Sequence, residues 1–278
     1  MRMRYALGSC TVGVVSAKAV LKLLSGFDFI YDGGRVTLPL AAQRLLAFLA
    51  LQSDGMHRTV ASEQLWPDCD PSRAGANLRS ALCQARRART AAVIEIAGPR
   101  LHLAHTVRVD LHETWAQART LAERASPLPA APDVIVGALG RELLPCWTDD
   151  WLTLERERWD QMRVHALESL AQRMHDEQQY LAALEAALVA VAIDPVRETA
   201  HRILIEVHIA EGNHACAVKT YQEYQAFLQR ELGVFPSPQM MKIVQDIGIP
   251  VPPPADLSPP AAVAQARTRT GARSRTLA

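Results

Sequence analysis

Acidic residues are missing from a twenty-residue stretch, Pro71 to Thr90, that carries five arginines. A solvated helix face normally mixes charges of both signs, so this absence sets the segment apart. The five cysteines, Cys10, Cys69, Cys83, Cys146 and Cys216, are odd in number and scattered. That argues against a disulfide framework or a zinc cluster, and for a reducing, cytoplasmic compartment. No run of eighteen apolar residues occurs, so no membrane span or membrane partner is expected. The chain also lacks Gly-x4-Gly-Lys-Ser/Thr, HExxH and Gly-x-Ser-x-Gly, the signatures of phosphate loops, zinc proteases and hydrolase elbows. His201 and His208 lie among Ile203, Leu204, Ile205, Val207 and Ile209, which suits packed positions better than metal ligands. Asp149, Asp150, Glu155 and Glu157 read as decoration of a helix start, where acids favour the positive dipole end. No enzyme activity, cofactor or metal is expected.

What is present fits a soluble globular protein: 49% apolar and 21% charged residues, with length enough for two ordinary domains. The net charge of +1 conceals polarity along the chain. Residues 22–110 hold eleven basic and eight acidic side chains, whereas residues 111–248 hold twelve basic and twenty acidic. Such division suggests that one part meets nucleic acid and the other a different partner.

Within the acid-free stretch, Ala74, Leu78, Ala81, Leu82 and Ala85 recur at helical spacing and predict a core-facing stripe. Arg73, Asn77, Ser80, Gln84 and Arg87 follow one another at intervals of four and three, which aligns them along the helix. A cationic ridge with amides and a hydroxyl suits the DNA major groove, where arginine pairs with guanine and Asn or Gln with adenine. Arg79 and Arg86 flank this line as candidate phosphate contacts. Gln43 and Arg44, near the start of an earlier helix, are further phosphate candidates through that helix's amino end.

Around this helix the pattern is that of a small antiparallel sheet, three helices and a closing hairpin. Leu21 to Leu24, Phe27 to Tyr31 and Arg35 to Leu38 read as strands, with Asp32-Gly33-Gly34 as a turn. Ala41 to Gln52 is a helix, and a second begins at Thr59 as its cap and reaches Trp66. After Pro67-Asp68-Cys69-Asp70, the arginine helix opens with Asp70 as cap and Pro71 at its first position. Val93 to Ile96 and Leu101 to Leu103 flank Gly98-Pro99 as a hairpin. Arg100, just past the turn, is either a wing cation for the minor groove or a solvated tip.

Beyond Leu111 the chain turns to Ala-rich helices. Residues 161–194 and 195–228 align without gaps at a period of 34: Arg163 matches Arg197, Leu170 matches Leu204, and Ala183 matches Ala217. This is the period of tetratricopeptide-type helix pairs. The inter-helix turn is Glu211-Gly212-Asn213 in one copy and Glu177-Gln178-Gln179, without glycine, in the other. A third pair is expected to begin near Gln229. The tryptophans read as core anchors, with Trp147 and Trp151 pinning a linker onto the repeats. Residues 1–20 sketch a weak signal peptide broken by Gly8, Ser9, Thr11 and Gly13, and read better as an unstructured extension. The tail, residues 249–278, is Pro- and Ala-rich with Arg267, Arg269, Arg273 and Arg275, and its composition predicts disorder.

The run Ala76-Asn-Leu-Arg-Ser-Ala-Leu82 with Arg86-Arg87, preceded by Leu65-Trp66-Pro67-Asp68, resembles the SARP-type transcriptional activators. Arg141-Glu-Leu-Leu-Pro145, Trp147 to Trp151, Asp194-Pro-Val-Arg-Glu198 and Glu231-Leu-Gly-Val234 resemble their bacterial transcriptional activator domain. The resemblance departs at Cys83 and Ala85, where larger residues are common, and implies shallower packing under the arginine helix. The order of elements describes a winged helix-turn-helix over residues 21–110, expected to fold without the rest, and the resemblance adds a tetratricopeptide-like all-α activator domain over residues 111–248. The fold class is mostly α with a small β component. The implied function is a sequence-specific DNA-binding transcriptional regulator and activator, with promoter DNA and RNA polymerase or its sigma factor as partners. It also implies tandem copies, as a homo-oligomer, on direct repeats. Pro67, Asp68 and Asp70 are the polymerase-contact candidates. The alternative is a repeat-domain scaffold for protein partners without sequence-specific DNA binding.

Overall fold

The computed structural model describes residues 19–86, 93–123 and 128–246. The expectations for residues 1–18 and for the tail beyond residue 246 lie outside these.

Strands β1 (Ala19–Lys22), β2 (Asp28–Tyr31) and β3 (Gly34–Arg35) form an antiparallel meander. Its third strand is shorter than the sequence suggests, because Val36 already leaves the ladder with one last bond, its amide donating to Phe29 at 2.8 Å. Alternation puts Leu21 and Phe29 opposite one another on the buried face. A fourth strand, β7 (Val107–Val109), lies parallel to β1 and closes the order β3-β2-β1-β7.

Three helices accompany this sheet: α1 (Leu40–Ala50), α2 (Arg58–Leu65) and α3 (Pro71–Ala85). Helix α2 is capped not by Thr59 but by His57, whose ring accepts from the Thr59 amide. Asp70 caps α3 as expected, with Oδ1 accepting from the Ser72 and Arg73 amides at 3.0 Å each. These bonds to the carboxylate, led by that from the Ser72 hydroxyl, hold Asp70 below the usual aspartate range. Strands β5 (Ile94–Ala97) and β6 (Arg100–Leu103) form the expected hairpin. An unforeseen two-residue strand, β4 (Met56–His57), joins the outer side of β6.

Helices α4 (Asp110–Ala122), α5 (Pro132–Leu139), α6 (Thr153–Asp176), α7 (Tyr180–Ile193), α8 (Glu198–Ala210), α9 (His214–Leu232) and α10 (Pro238–Gln245) follow. Helix ends and starts repeat at the sequence period: α6 ends at Asp176 and α8 at Ala210, while α7 begins at Tyr180 and α9 at His214. Gln178 takes the left-handed conformation, φ 60°, at the place where the second copy has Gly212, φ 76°. The two turns carry the same bonds. Gln179 donates to Met174 and Asn213 to His208, both at 2.8 Å. A missing glycine therefore leaves the turn's path unchanged and strains only its backbone. There is no third long pair among the described residues. The segment from Gln229 completes α9, which stops at left-handed Gly233, and short α10 seals its end with Met240 and Val244.

The two halves share one core. A single buried cluster runs from Leu21, Phe29, Leu46 and Ala50 through Leu111, Leu121 and Leu139 to Trp159 and Leu170. Backbone bonds cross the divide as well: Leu144 donates to Leu23 at 3.0 Å and Ser25 to Glu142 at 2.7 Å. Leu21, Leu23, Leu46 and Ala50 belong to that shared cluster, so the two parts bury apolar surface together. Asp110, at the first position of α4, accepts from the amides of Leu23, Leu24 and Leu111 at 2.8, 3.2 and 2.8 Å. Burial pushes its carboxyl upward, and those three donors pull it back down. Replacing it orphans all three amides together. Asp110→Ala is expected to lower unfolding free energy by about 3 kcal/mol, about 1 for each amide, as read by urea denaturation. A loss under about 1 kcal/mol would show that water replaces the carboxylate.

Candidate nucleic-acid interface

Helix α3 buries Ala74, Leu78, Ala81, Leu82 and Ala85, as its periodicity predicts. Leu78, Ala81 and Leu82 pack with Leu45, Phe48, Leu49, Ala61 and Leu65, so α1 and α2 fix its inner side. The outward side is turned from the line read in the sequence. Arg73, Ala76, Arg79, Ser80, Cys83 and Arg86 are exposed, whereas Asn77 and Gln84 are half-buried. The reason is geometric: at 3.6 residues per turn those two lie roughly a quarter-turn from the centre of the buried stripe, not opposite it. Asn77 turns its amide to Cys69 Sγ, at 3.8 Å. Gln84 Oε1 is shut away from solvent without a hydrogen-bond partner. Neither amide sits at the centre of the ridge. Arg87 lies outside the described residues. Cys83 faces outward, so its small size does not shallow the core.

The exposed arginines Arg73, Arg79 and Arg86 form no salt bridge to any described residue, and α3 itself carries no acid. The centre of the face is made of small residues, Ala76, Ser80 and Cys83, with cations on both flanks. Beside it stands the wing. Arg100 is exposed at the start of β6 and pairs with Ala97 and His57 across the ladder. Arg58 was not foreseen. Its amide donates to Pro99 at 2.9 Å, which sets a second exposed cation next to the wing turn. The signal for it was β4, too short to read from pattern.

Of the α1 candidates, Arg44 is corrected. Arg44 Nε donates to Asp149 Oδ1 at 2.8 Å, and its side chain is only 22% exposed. Its charge is neutralised within the fold and is not offered to a phosphate. Gln43 Nε2 donates to the Leu38 carbonyl at 2.7 Å, tying down the entry to α1. Trp147 and Trp151 are corrected likewise. They pin the linker to the winged unit: Trp147 stacks on Phe27 at 6.0 Å, and Trp151 meets Phe48 edge-on at 5.2 Å. Trp151 Nε1 also donates to Asp149 at 3.2 Å.

Pro67 and Asp68 are exposed on the α2–α3 connection. Asp70 is exposed too, but its carboxylate is engaged at the α3 cap. Pro67 and Asp68 form one wall of a notch of about 490 Å³ whose opposite wall is the segment Cys146 to Trp151. Trp66, Trp147 and Trp151 line it, and two further acids stand there, Asp149, which is paired with Arg44, and Asp150. The segment's part in this notch was missed in the sequence because tertiary packing alone brings it there. No group of three or more His, Cys, Asp or Glu among the described residues is arranged to hold a metal. His201 stacks on Tyr224 at 4.0 Å and contacts the Pro195 carbonyl at 3.0 Å, and burial lowers its pKa. No helix among the described residues is long and apolar enough to cross a membrane.

Comparison with known proteins supplies three findings. The family described as Bacterial transcriptional activator domain matches residues 112–247. Regulatory protein AfsR of Streptomyces coelicolor is 27% identical over 252 residues, which cover 86% of this chain and 25% of AfsR. The chain therefore spans a quarter of that relative's length. The solved structure of Mycobacterium tuberculosis EmbR in complex with a low affinity phosphopeptide has a TM-score of 0.66 at 18% identity. That likeness covers 84% of this chain and 66% of EmbR, and it concerns the fold.

The geometry separates the cations by role. Arg79→Ala should weaken binding to all DNA sequences alike and flatten the slope of log affinity against log salt by about 0.9. Arg44→Ala should leave that slope unchanged while lowering the melting temperature. The check is fluorescence anisotropy over a salt series; a flattened slope in Arg44→Ala would return that residue to the interface.

Proposed function

We propose that this chain, whose residues 112–247 match the Bacterial transcriptional activator domain family, is a SARP-type transcriptional regulator that binds promoter DNA in sequence-specific fashion and recruits RNA polymerase. One observation carries the reading: an exposed, acid-free face on α3 whose three arginines have no salt bridge within the described fold. Arg73 and Ser80, with Arg87 on its sequence spacing, read base edges. Arg79 and Arg86 hold phosphates, and Arg58 and Arg100 extend the positive surface to the wing. Asn77 and Gln84 stand at the edge of the face and reach the groove wall only by rotamer change. The site of action is the cytoplasm, and tandem copies on direct repeats are the expected bound form.

The test is a gel-shift titration of the full chain against genomic fragments at two salt concentrations. A subset of fragments retained at the higher salt supports specific reading. Uniform loss across all fragments would instead favour the protein-interaction scaffold. Arg73→Ala should lower affinity for a retained fragment by about 1–3 kcal/mol and leave other fragments nearly unaffected.

The connection beside α3 is the proposed polymerase contact, through Pro67 and Asp68. Asp68 is exposed and forms no salt bridge within the described fold. It stands in the notch where Asp150 and three tryptophans converge. Asp68→Asn should leave DNA affinity unchanged and reduce run-off transcription several-fold with purified holoenzyme. Full transcription by this variant would move the contact elsewhere.

A further inference from the structure

Sharing no residue with the arginine face, α4, α6 and α8 enclose a groove of about 530 Å³, a size that suits a small organic molecule. Trp115, Met162 and Ile203 give it an apolar wall. Trp115 is half-buried and braced from behind by Trp159, ring centroids 5.8 Å apart, so a flat surface is held in place for stacking. Two cations stand in the lining, Arg158 on α6 and Arg202 on α8. The one acid in the lining, Glu168, is buried and already neutralised. Arg197 grips it with Nε and Nη2 at 2.6 and 2.9 Å, and His165 abuts the same guanidinium at 3.0 Å. Arg158 and Arg202 pair with Glu155 and Glu206, each at 2.7 Å. Neither glutamate lines the groove; Arg158 is exposed and the Arg202–Glu206 pair is half-buried, so an anion in the groove would share these cations with their glutamates.

We infer that this groove binds a small amphiphilic anion: a flat apolar body seated against Trp115, Met162 and Ile203, with a carboxylate, phosphate or sulfonate held by Arg158 and Arg202. The site lies outside the DNA-reading surface and gives the regulator a place for an effector. Its existence does not depend on which DNA is bound.

The probe is 8-anilinonaphthalene-1-sulfonate, titrated into the full chain with its fluorescence as readout. Saturable binding is expected. Arg158→Gln with Arg202→Gln should weaken it about ten-fold, the scale of a lost charge-assisted contact. The uncharged N-phenyl-1-naphthylamine should be indifferent to that double change. Leu181→Gln with Leu188→Gln, on the exposed apolar side of α7, should leave the sulfonate's affinity intact. Circular dichroism confirms that each variant is folded. The inference is overturned by absence of saturable binding, by unchanged affinity in the double-arginine variant, or by loss of binding in the α7 variant instead.

Discussion

Helix α1 has no solvent side after its first turn: Leu45, Leu46, Ala47, Phe48, Leu49 and Ala50 are all buried in succession. A helix that is apolar all round must be covered all round. One side, through Leu45, Phe48 and Leu49, carries α2 and α3. The other, through Ala42, Leu46, Ala47 and Ala50, meets the sheet and the helical body. Helix α3 and the helical body are therefore mounted on opposite sides of one rod. Exposing either side costs about 25 cal/mol for each Å² of apolar surface returned to water, which sets a steep barrier to hinging between the halves.

Polar groups fix the angle that the apolar contact leaves free. Asp110 ties the start of α4 to the end of β1, and His112 Nε2 meets the last carbonyl of α1, that of Ala50, at 2.7 Å. On the far side, Arg156 donates to the carbonyls of Leu143, Leu144 and Trp147. It thereby shapes the segment whose Asp149 then holds Arg44. The chain of contacts runs from α6 through Arg156, the 143–151 segment, Arg44 and α1 to α3. A load applied at the notch between Pro67 and Trp151 acts directly on this chain. The α3 face and the notch are thus placed on one continuous packed unit rather than on two tethered ones.

Local signals survived the passage from sequence to structure. The Asp70 cap, Pro71 at the first position, the hairpin about Gly98-Pro99 and the period of 34 each depend on residues within a few turns of one another. What the sequence hid depends on distant partners. Arg44 looked like a free cation because Asp149, over a hundred positions away, is its partner. Trp147 and Trp151 gave no sign of direction, since an aromatic pair at that spacing can clamp either neighbour. Asn77 and Gln84 failed for a subtler reason: a line of i, i+4, i+3 steps is parallel to the helix but need not be diametrically opposite the core. Only the position of the buried stripe fixes that, and it places Ala76 and Cys83 at the crown.

That crown bears on how α3 would read DNA. The major groove is about 12 Å wide and admits a helix with its side chains only where the helix is slim. Small residues along the centre, Ala76, Ser80 and Cys83, would let the backbone approach the groove floor, with Arg79 and Arg86 on one flank directed to bordering phosphates and Arg73 on the other within reach of base edges. Few base-specific hydrogen bonds are then available from the centre itself. On that reading discrimination would come from Ser80, from Arg73, and from the shape of the groove that fits so close an approach. A face of this composition favours affinity through phosphates and selectivity through fit. Tandem copies on repeated sites would multiply that selectivity, because each copy adds its own test of groove shape.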